Sequence, residues 1–343
     1  MATARILVFP DAGPAIGGGH VMRCLTLARA LHARGAEIAF AANPFGQAIL
    51  VNFGARDMPA FPLSDDVDEA APQAAAWASS WKADWALLDH YGLTPAQEAQ
   101  FKGARRLAVL DDRADRPRPA QALLDASYGR GAGAYTDLLP AGAKVFVGPM
   151  AAPVRPEFAA HRRAALERRR QGGHLKHVLV SLGLTDVGGI TERVVHLLRQ
   201  LHPELVFDVV LGDAAPSLPA LREAAKTDCA VRLHVDTHAM AELMVEADFA
   251  VGAGGSSVWE RAVVGLPAVT VALADNQRPM AEAMAHDGLT LAVDASDAAF
   301  ETALADAAAR LIQEPSLRRA FSEKTAAACD GLGAERFAEA LLS

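Results

Sequence analysis

Short apolar runs alternate with stretches of helical period along most of the chain. ARILVF, residues 4–9, reads as a buried strand. HVMRCLTLARALHARG follows at helical spacing and stops at Gly35. EIAFAA is the next strand, and DWALLDHYG and RLAVLDD are two more, each running into acidic or polar residues. AKVFVGP closes the first half. This alternation predicts a parallel, doubly wound α/β sheet. In such a sheet a ligand binds outside the carboxyl ends of the strands. Asp11, Asp89, His90, Tyr91, Asp111 and Asp112 all fall at such ends.

The stretch MAAPVRPEFAAHRRAALERRRQGG, from Met150, reads as a boundary. It carries Pro153 and Pro156, a basic helical run read as a solvated face, then Gly172 and Gly173. After it the pattern restarts. HVLVSLG, VFDVVLG, VRLHVDT, DFAVGAGG and PAVTVAL read as strands. TERVVHLLRQL, HAMAELMVEA and SSVWERAVVG read as the helices between them. The expectation is two Rossmann-like doubly wound domains, 1–150 and 151–343, with the last helix packing back on the first. No short-period repeat or low-complexity tail interrupts them.

Composition narrows the function classes. A chain of 343 residues is long for a single core. It is 51% hydrophobic and 22% charged, a globular composition. The formal net charge of −8 does not recruit nucleic acid, so an anionic ligand has to be held by local features. No apolar run reaches the ~18 residues of a membrane span, and the first residues show no signal-peptide pattern. Cys24, Cys229 and Cys329 are widely spaced and odd in number, which reads as reduced thiols of a cytoplasmic protein.

Three loops carry candidate chemistry. DAGPAIGGGHVMRCL, from Asp11, runs Gly17, Gly18 and Gly19 straight into His20. It reads either as a turn with a capping histidine or as a loop that lets a ligand approach with a base aimed at it. SLGLTDVGGITER, from Ser181, and GAGGSSVWE, from Gly252, each lie between a strand and a helix. Glycine lets backbone N–H groups approach an anion, and Thr185, Ser256 and Ser257 add hydroxyl donors. Two such loops in one domain suit a diphosphate, although neither matches a Walker or dinucleotide pattern. Glu260 is either a favourable carboxylate in the first turns of a helix or an acceptor for two ribose hydroxyls. Asn276 and Gln277 are either a turn and helix start or amides for sugar hydroxyls and phosphate oxygens. Asp111 and Asp112 read as turn or substrate residues and not as metal ligands. His161, His174, His177 and His234 are scattered without ligand spacing.

Taken together, GGGHVMRCLTLA, DHYG, LDDRADRP, GPMAAPVRPEF, SLGLTD and GAGGSSVWERAVVGLPAVTVALADNQ resemble a known family. It is that of the pseudaminic acid pathway hydrolases, in the glycosyltransferase B-like superfamily. These enzymes cleave UDP-2,4-diacetamido-2,4,6-trideoxy-β-L-altropyranose into UDP and free sugar. The resemblance runs from about residue 5 to the C-terminal DGLGAERFAEALL. It implies that His20 is the general base and that Tyr91 lines the sugar site. Asp11, Gly17, Gly18, Gly19 and His90 join it there, with Asn276 and Gln277 at the sugar and diphosphate. It implies a nucleotide site built from Gly255, Ser256, Ser257 and Glu260, to which the reading of the two glycine loops adds Gly183, Thr185, Asp186 and Gly254. No cofactor, metal or membrane partner is expected, since no carboxylate pair has metal spacing and no apolar run is long enough for a membrane span. The expected partners are the UDP-sugar and, transiently, other enzymes of a pathway to flagellin or surface glycans. One departure stands out. The family's first loop usually carries Arg-x-Asp, and here Pro10 and Asp11 come without the arginine.

That activity is substitution at the anomeric carbon. UDP leaves as an anion, because its terminal phosphate has a second pKa of roughly 6. The usual glycosidase pair of carboxylates is then not required. One base for water and donors for the diphosphate suffice. Two other readings use the same residues: an inverting UDP-sugar glycosyltransferase of the same fold, and a non-catalytic UDP-sugar-binding protein. A hydrolysing epimerase fits the motifs less well.

Overall fold

In the computed structural model, which describes residues 3–55 and 57–343, the first apolar run becomes a central strand, β1 (Arg5–Pro10). Around it stand β2 (Glu37–Ala42), β3 (Ala60–Pro62), β4 (Trp85–Asp89), β5 (Arg106–Leu110), β6 (Ala122–Asp125) and β7 (Lys144–Val147). They form a seven-stranded sheet in the order β3-β2-β1-β4-β5-β6-β7. Every pairing is parallel. A parallel sheet is covered on both faces, which is why its strands read as apolar runs and not as alternation. The apolar pattern misses β3, which has three residues and ends in Pro62, and β6, the four-residue ALLD.

The strand order reverses between β1 and β4. Pro10 pairs with Asp89 in register, so Asp11 and His90 leave the sheet side by side. The Asp11 N–H donates to the Asp89 carbonyl at 2.7 Å and pins the two exits together. Ala70, Ala71, Ala74, Ala75 and Ala78 of the helix Val67–Ser80 are buried with Leu7, Phe9, Leu88 and Val109 in one core. Small side chains let that helix lie close to the strands.

This unit comprises Met1–Val154 and Leu332–Ser343, so it includes the chain's last helix, Gly333–Leu342. Phe337 meets Phe146 edge-on at 5.3 Å. A Cβ on Gly333 would stand 2.4 Å from the carbonyl carbon of Ala151, an approach open only to glycine.

The second unit, Arg155–Gly331, is built the same way. Its strands are β8 (His177–Ser181), β9 (Val206–Leu211), β10 (Val231–Val235), β11 (Phe249–Ala253), β12 (Ala268–Ala272) and β13 (Leu291–Asp294). They form a parallel six-stranded sheet ordered β10-β9-β8-β11-β12-β13. Here the order reverses between β8 and β11, where Ser181 pairs with Gly252. The two glycine loops of this unit therefore open at one reversal.

The basic helix Pro156–Gln171 is not the solvated face its pattern predicts. Arg162 donates to the carbonyls of Val263, Ala326 and Cys329 at 2.5–3.0 Å. Arg169 donates to those of Met244, Ala247 and Val264 at 2.7–2.9 Å. These carbonyls lie at the C-terminal ends of the helices Met240–Glu246, Ser257–Val263 and Pro315–Ala328, where intrahelical donors run out. A guanidinium there also meets the negative end of the helix dipole. A charged run without an apolar stripe reads as exposed, and such ties lie far apart in sequence.

Candidate active site

The loop after β1 folds back on itself. Gly17 has φ 83°, a region glycine enters freely, and its N–H donates to the Gly13 carbonyl at 2.7 Å. The helix Gly19–His32 then begins, with no side-chain cap, and His20 is its second residue. A Cβ on Gly19 would meet open space, so packing does not demand a glycine there.

His20 is 7% exposed and bonded to the end of β4. Its Nδ1 lies 2.7 Å from Asp89 Oδ1 and 3.2 Å from the Asp89 carbonyl. Arg23 shares that face of the helix, three residues on. It grips the same carboxylate bidentately, Nε to Oδ2 and Nη2 to Oδ1, both at 2.6 Å. Burial works against a charge on Asp89, but Arg23 and His20 outweigh it and hold its carboxyl well below the usual range. With Asp89 ionised, Nδ1 is the ring nitrogen that donates to the carboxylate. Arg23 Nη2 also lies 3.4 Å from Nδ1, too long to compete with the 2.7 Å carboxylate contact. Nε2 makes no hydrogen bond among the described residues.

Asp89 and Arg23 are the residues that sequence reasoning did not assign. Asp89 was legible only as a strand end. Arg23 looked like an ordinary charged residue one helical turn after His20. The helix sets the Arg23 guanidinium beside His20. That charge is shared with Asp89 and with Asp112, 3.4 Å from Arg23 Nη1.

Tyr91 stands edge-on to the His20 ring, with centroids 4.5 Å apart. Its hydroxyl donates to Asp112 Oδ2 at 2.6 Å, and burial together with that carboxylate pushes the phenol well up. The His90 Nδ1 accepts from the Gly92 N–H at 3.1 Å, so that nitrogen is unprotonated. Burial pulls His90 below its ordinary value, against the pull of Asp11. Asp11, expected against a substrate, also has internal partners. It is 4% exposed, and its carboxylate accepts from the Tyr91 N–H at 3.2 Å and faces the His90 ring at 3.4 Å. It braces the exits of β1 and β4. Asp111 is likewise internal, holding Arg118 and the Ala114 N–H. Among the described residues no group of three or more His, Cys, Asp or Glu side chains could hold a metal ion.

In the second unit the two glycine loops differ. In the first, Gly183 is exposed at φ 105° and Thr185 is half-buried, but Asp186 is fully buried. Asp186 accepts from the Thr191 N–H and hydroxyl at 2.9 and 2.6 Å and from the Ser217 N–H at 2.9 Å. The Glu192 N–H is taken by Ser217 Oγ at 3.1 Å. The start of the helix Ile190–Leu201 is therefore occupied by the chain's own carboxylate and hydroxyl. Asp186, expected as a nucleotide contact, braces the loop here, with both its oxygens bonded inside the chain.

The loop after β11 has no such plug. Gly254 is covered by Gln277, whose Cβ and Oε1 would lie 3.2 Å from a Cβ there. Gln277 Oε1 accepts from the Leu273 N–H at 3.0 Å, which fixes the amide beside Gly254 and Gly255. Asn276 is exposed on the short turn Asp275–Gln277. Beneath the loop lies Arg261, 3% exposed. It donates to the Ala253 carbonyl at 3.0 Å and to Ser257 Oγ at 3.2 Å, tying the loop's two ends. Its Nη1 occupies the space a Cβ on Gly252 would need, 2.4 Å away. Burial pulls this guanidinium down to about 10. Ser256 and Ser257 are half-buried at the helix start, and no side chain caps it. Glu260, one turn on, pairs with Arg155 Nε at 2.8 Å. Sequence reasoning quoted Arg155 within a motif without giving it a role.

Comparison with known proteins fits this layout. No family model matches the chain. The UDP-2,4-diacetamido-2,4,6-trideoxy-β-L-altropyranose hydrolase of Campylobacter jejuni is 22% identical over 285 residues, 83% of this chain and 97% of that protein. The UDP-GlcNAc 2-epimerase of Neisseria meningitidis, solved with UDP-GlcNAc, superimposes with a TM-score of 0.69 at 14% identity, covering 99% of this chain and all of that one. MurG of Acinetobacter baumannii superimposes with a TM-score of 0.67 at 16% identity, covering 99% of each chain. The fold is that of two Rossmann-like doubly wound domains, the glycosyltransferase B type. Among the described residues no helix is long and apolar enough to cross a membrane.

Proposed function

We propose that the protein hydrolyses a UDP-linked 2,4-diacetamido-2,4,6-trideoxy hexose of the altrose type to UDP and free sugar. The observation that carries this reading is the His20–Asp89 contact of 2.7 Å. A charged, buried carboxylate on Nδ1 orients the ring and stabilises the imidazolium that forms when Nε2 takes a proton from water. The water attacks the anomeric carbon, its C–O bond to UDP breaks, and the bonding pair leaves with the diphosphate. The first-formed sugar then has inverted configuration. Positive charge develops on the sugar ring in the transition state, and the carboxylates of Asp89 and Asp112 suit it. In the second unit, the amides around Gly254, Gly255 and Ser256 take the diphosphate, with Arg261 beneath them and Gln277 alongside. Glu260 exchanges Arg155 for the ribose hydroxyls. No metal enters the reaction. The work is cytoplasmic, and the sugar feeds pseudaminic acid for flagellin or surface glycans.

The test is purified protein with the UDP-linked diacetamido altrose, following UDP release, with excess EDTA in a parallel reaction. Water labelled with heavy oxygen should place its label on the sugar, with one anomer visible by proton NMR before mutarotation. Label in UDP would mean attack at phosphorus and would overturn the role of His20. A rate that EDTA abolishes and Mg²⁺ restores would overturn the metal-free reading. A second reading rests on the fold shared with glycosyltransferases. In it the same base would deprotonate an acceptor hydroxyl, and UDP would appear only when an acceptor is added.

A further inference from the structure

The proposed reaction makes no use of the arginine-rich edge of the second sheet. Asp248 directly precedes β11 and Pro267 directly precedes β12, and both line a cavity of about 240 Å³ at the amino ends of the strands. The glycine loops leave the opposite, carboxyl ends. Arg168, Arg169 and Arg170 enter the cavity wall from one helix, and Arg318 and Arg319 from another. The lining holds five arginines and two carboxylates, Asp248 and Glu323, and Arg170 also pairs with Glu167 at 2.8 Å, in a chain whose formal net charge is −8.

The partners of these groups show which charge is left over. Asp248 is fully engaged, by Arg168 at 2.8 Å and by the N–H groups of Lys176 and His177 at 2.7 and 2.9 Å. Arg169 meets only carbonyls. Arg318 gives Nη1 to the carbonyls of Leu311 and Ile312 and keeps Nε and Nη2 unbonded. Arg319 is exposed and makes no hydrogen bond or ion pair among the described residues. Burial pulls Arg169 down to about 9 and lowers Arg318 as well, so carbonyls alone under-compensate these cations.

From this arrangement we propose that the cavity is a second anion site, taking a phosphate or diphosphate group, separate from the glycine loops. Guanidinium forks match phosphate oxygens bidentately. The carbonyls that take Arg318 Nη1 keep its Nε–Nη2 edge in place before the anion arrives, while Arg168 and Arg169, held by carbonyls and Asp248, contribute charge. The cavity is smaller than the roughly 300–1,000 Å³ of pockets for larger organic ligands, which suits a small oxyanion.

The experiment titrates inorganic pyrophosphate calorimetrically, at low salt, into a Ser256→Asp variant, whose glycine loop repels anions. One saturable equivalent is expected. Adding Arg319→Glu to that variant should weaken it by roughly tenfold or more, the loss expected for a charge-assisted contact turned repulsive. Arg170→Glu is the second probe, since Arg170 is also exposed and holds no backbone carbonyl. Unchanged thermal unfolding marks either variant as folded. UDP titrated into Ser256→Asp protein separates the sources. Binding there means a nucleotide-borne phosphate, and silence there with pyrophosphate binding intact means the free anion. No saturable pyrophosphate binding to Ser256→Asp, or binding that survives both arginine reversals, overturns the proposal.

Discussion

The molecule reverses strand order twice, between β1 and β4 and between β8 and β11, and the two reversals are furnished in opposite ways. At the first, charged and polar side chains meet one another. Asp89 joins His20 and Arg23, Arg23 reaches Asp112, and Asp112 takes the Tyr91 hydroxyl. At the second stands a glycine loop, tied from below by Arg261. The same topology offers the same crevice. What fills it depends on the task. Moving a proton needs paired charges within bonding distance. Holding an anion needs amides that nothing else has taken. The loop after β8 makes the point by exception, because its own Asp186 already occupies the helix start.

The largest effect should come from the first reversal. His20→Asn keeps a polar side chain and removes the base, so turnover should fall by roughly 10²–10⁴-fold. UDP affinity, assigned to the other unit, should not move. Calorimetry showing UDP binding lost in His20→Asn would break the division of labour between the reversals.

Asp89→Asn attacks the same chain through stability. It strands the Arg23 charge and leaves His20 without its carboxylate. Breaking one partner of a buried ion pair costs about 3–5 kcal/mol, and denaturant unfolding reads it. The sign of the pH dependence follows from the depressed carboxyl of Asp89. Its stabilisation is complete above the unfolded carboxylate value of about 3.9 and is lost as pH falls through the lower folded value. Wild type and variant should therefore differ by a constant amount from pH 5 to 8 and converge in acid. A gap that opened only below pH 4 would reverse the assignment.

The contrast also explains what could be read in advance. Both sheets were legible, since buried parallel strands announce themselves as apolar runs bounded by glycine and acid. His20 and the Gly254–Ser257 loop stand out in sequence because glycine, then a polar residue, then a helix is a local pattern, and Tyr91 stands out as a polar aromatic just past a strand end. Arg23, Arg155 and Arg261 do not. Each looks like an ordinary charged helix residue, and each gains its role from a carboxylate or carbonyl that the fold brings to it. Asp11 and Asp186 read from sequence as ligand contacts, and the fold adds the backbone N–H groups that claim their carboxylates.

At the second reversal the expected effects are smaller. Glu260→Ala should weaken UDP by about 1.5–3 kcal/mol, the range for hydrogen bonds to a charged group. Part of that loss is offset in the free protein, where Glu260 already holds Arg155 at 2.8 Å. Arg155→Met should therefore alter UDP affinity less than Glu260→Ala does. The reverse order, measured by calorimetry on both variants, would move the ribose contact from the carboxylate to the arginine.

The smallest effect on UDP is expected from Asp186→Asn, and it tests the comparison between the two glycine loops. The asparagine keeps one acceptor for Thr191 but turns an N–H group toward the Ser217 N–H that the carboxylate now accepts. A buried donor left without its acceptor costs about 1–3 kcal/mol of stability. UDP affinity should stay within about threefold, a shift of well under 1 kcal/mol, because a fully buried brace touches no ligand. A loss beyond tenfold, in protein whose unfolding is still cooperative, would restore Asp186 as a nucleotide contact. A gain beyond tenfold would say that its charge has been repelling the diphosphate from close by, and that the loop after β8 lies nearer the anion than its bonds imply. Only an unchanged affinity beside a measurable loss of stability leaves the loop after β11 as the one that holds the diphosphate.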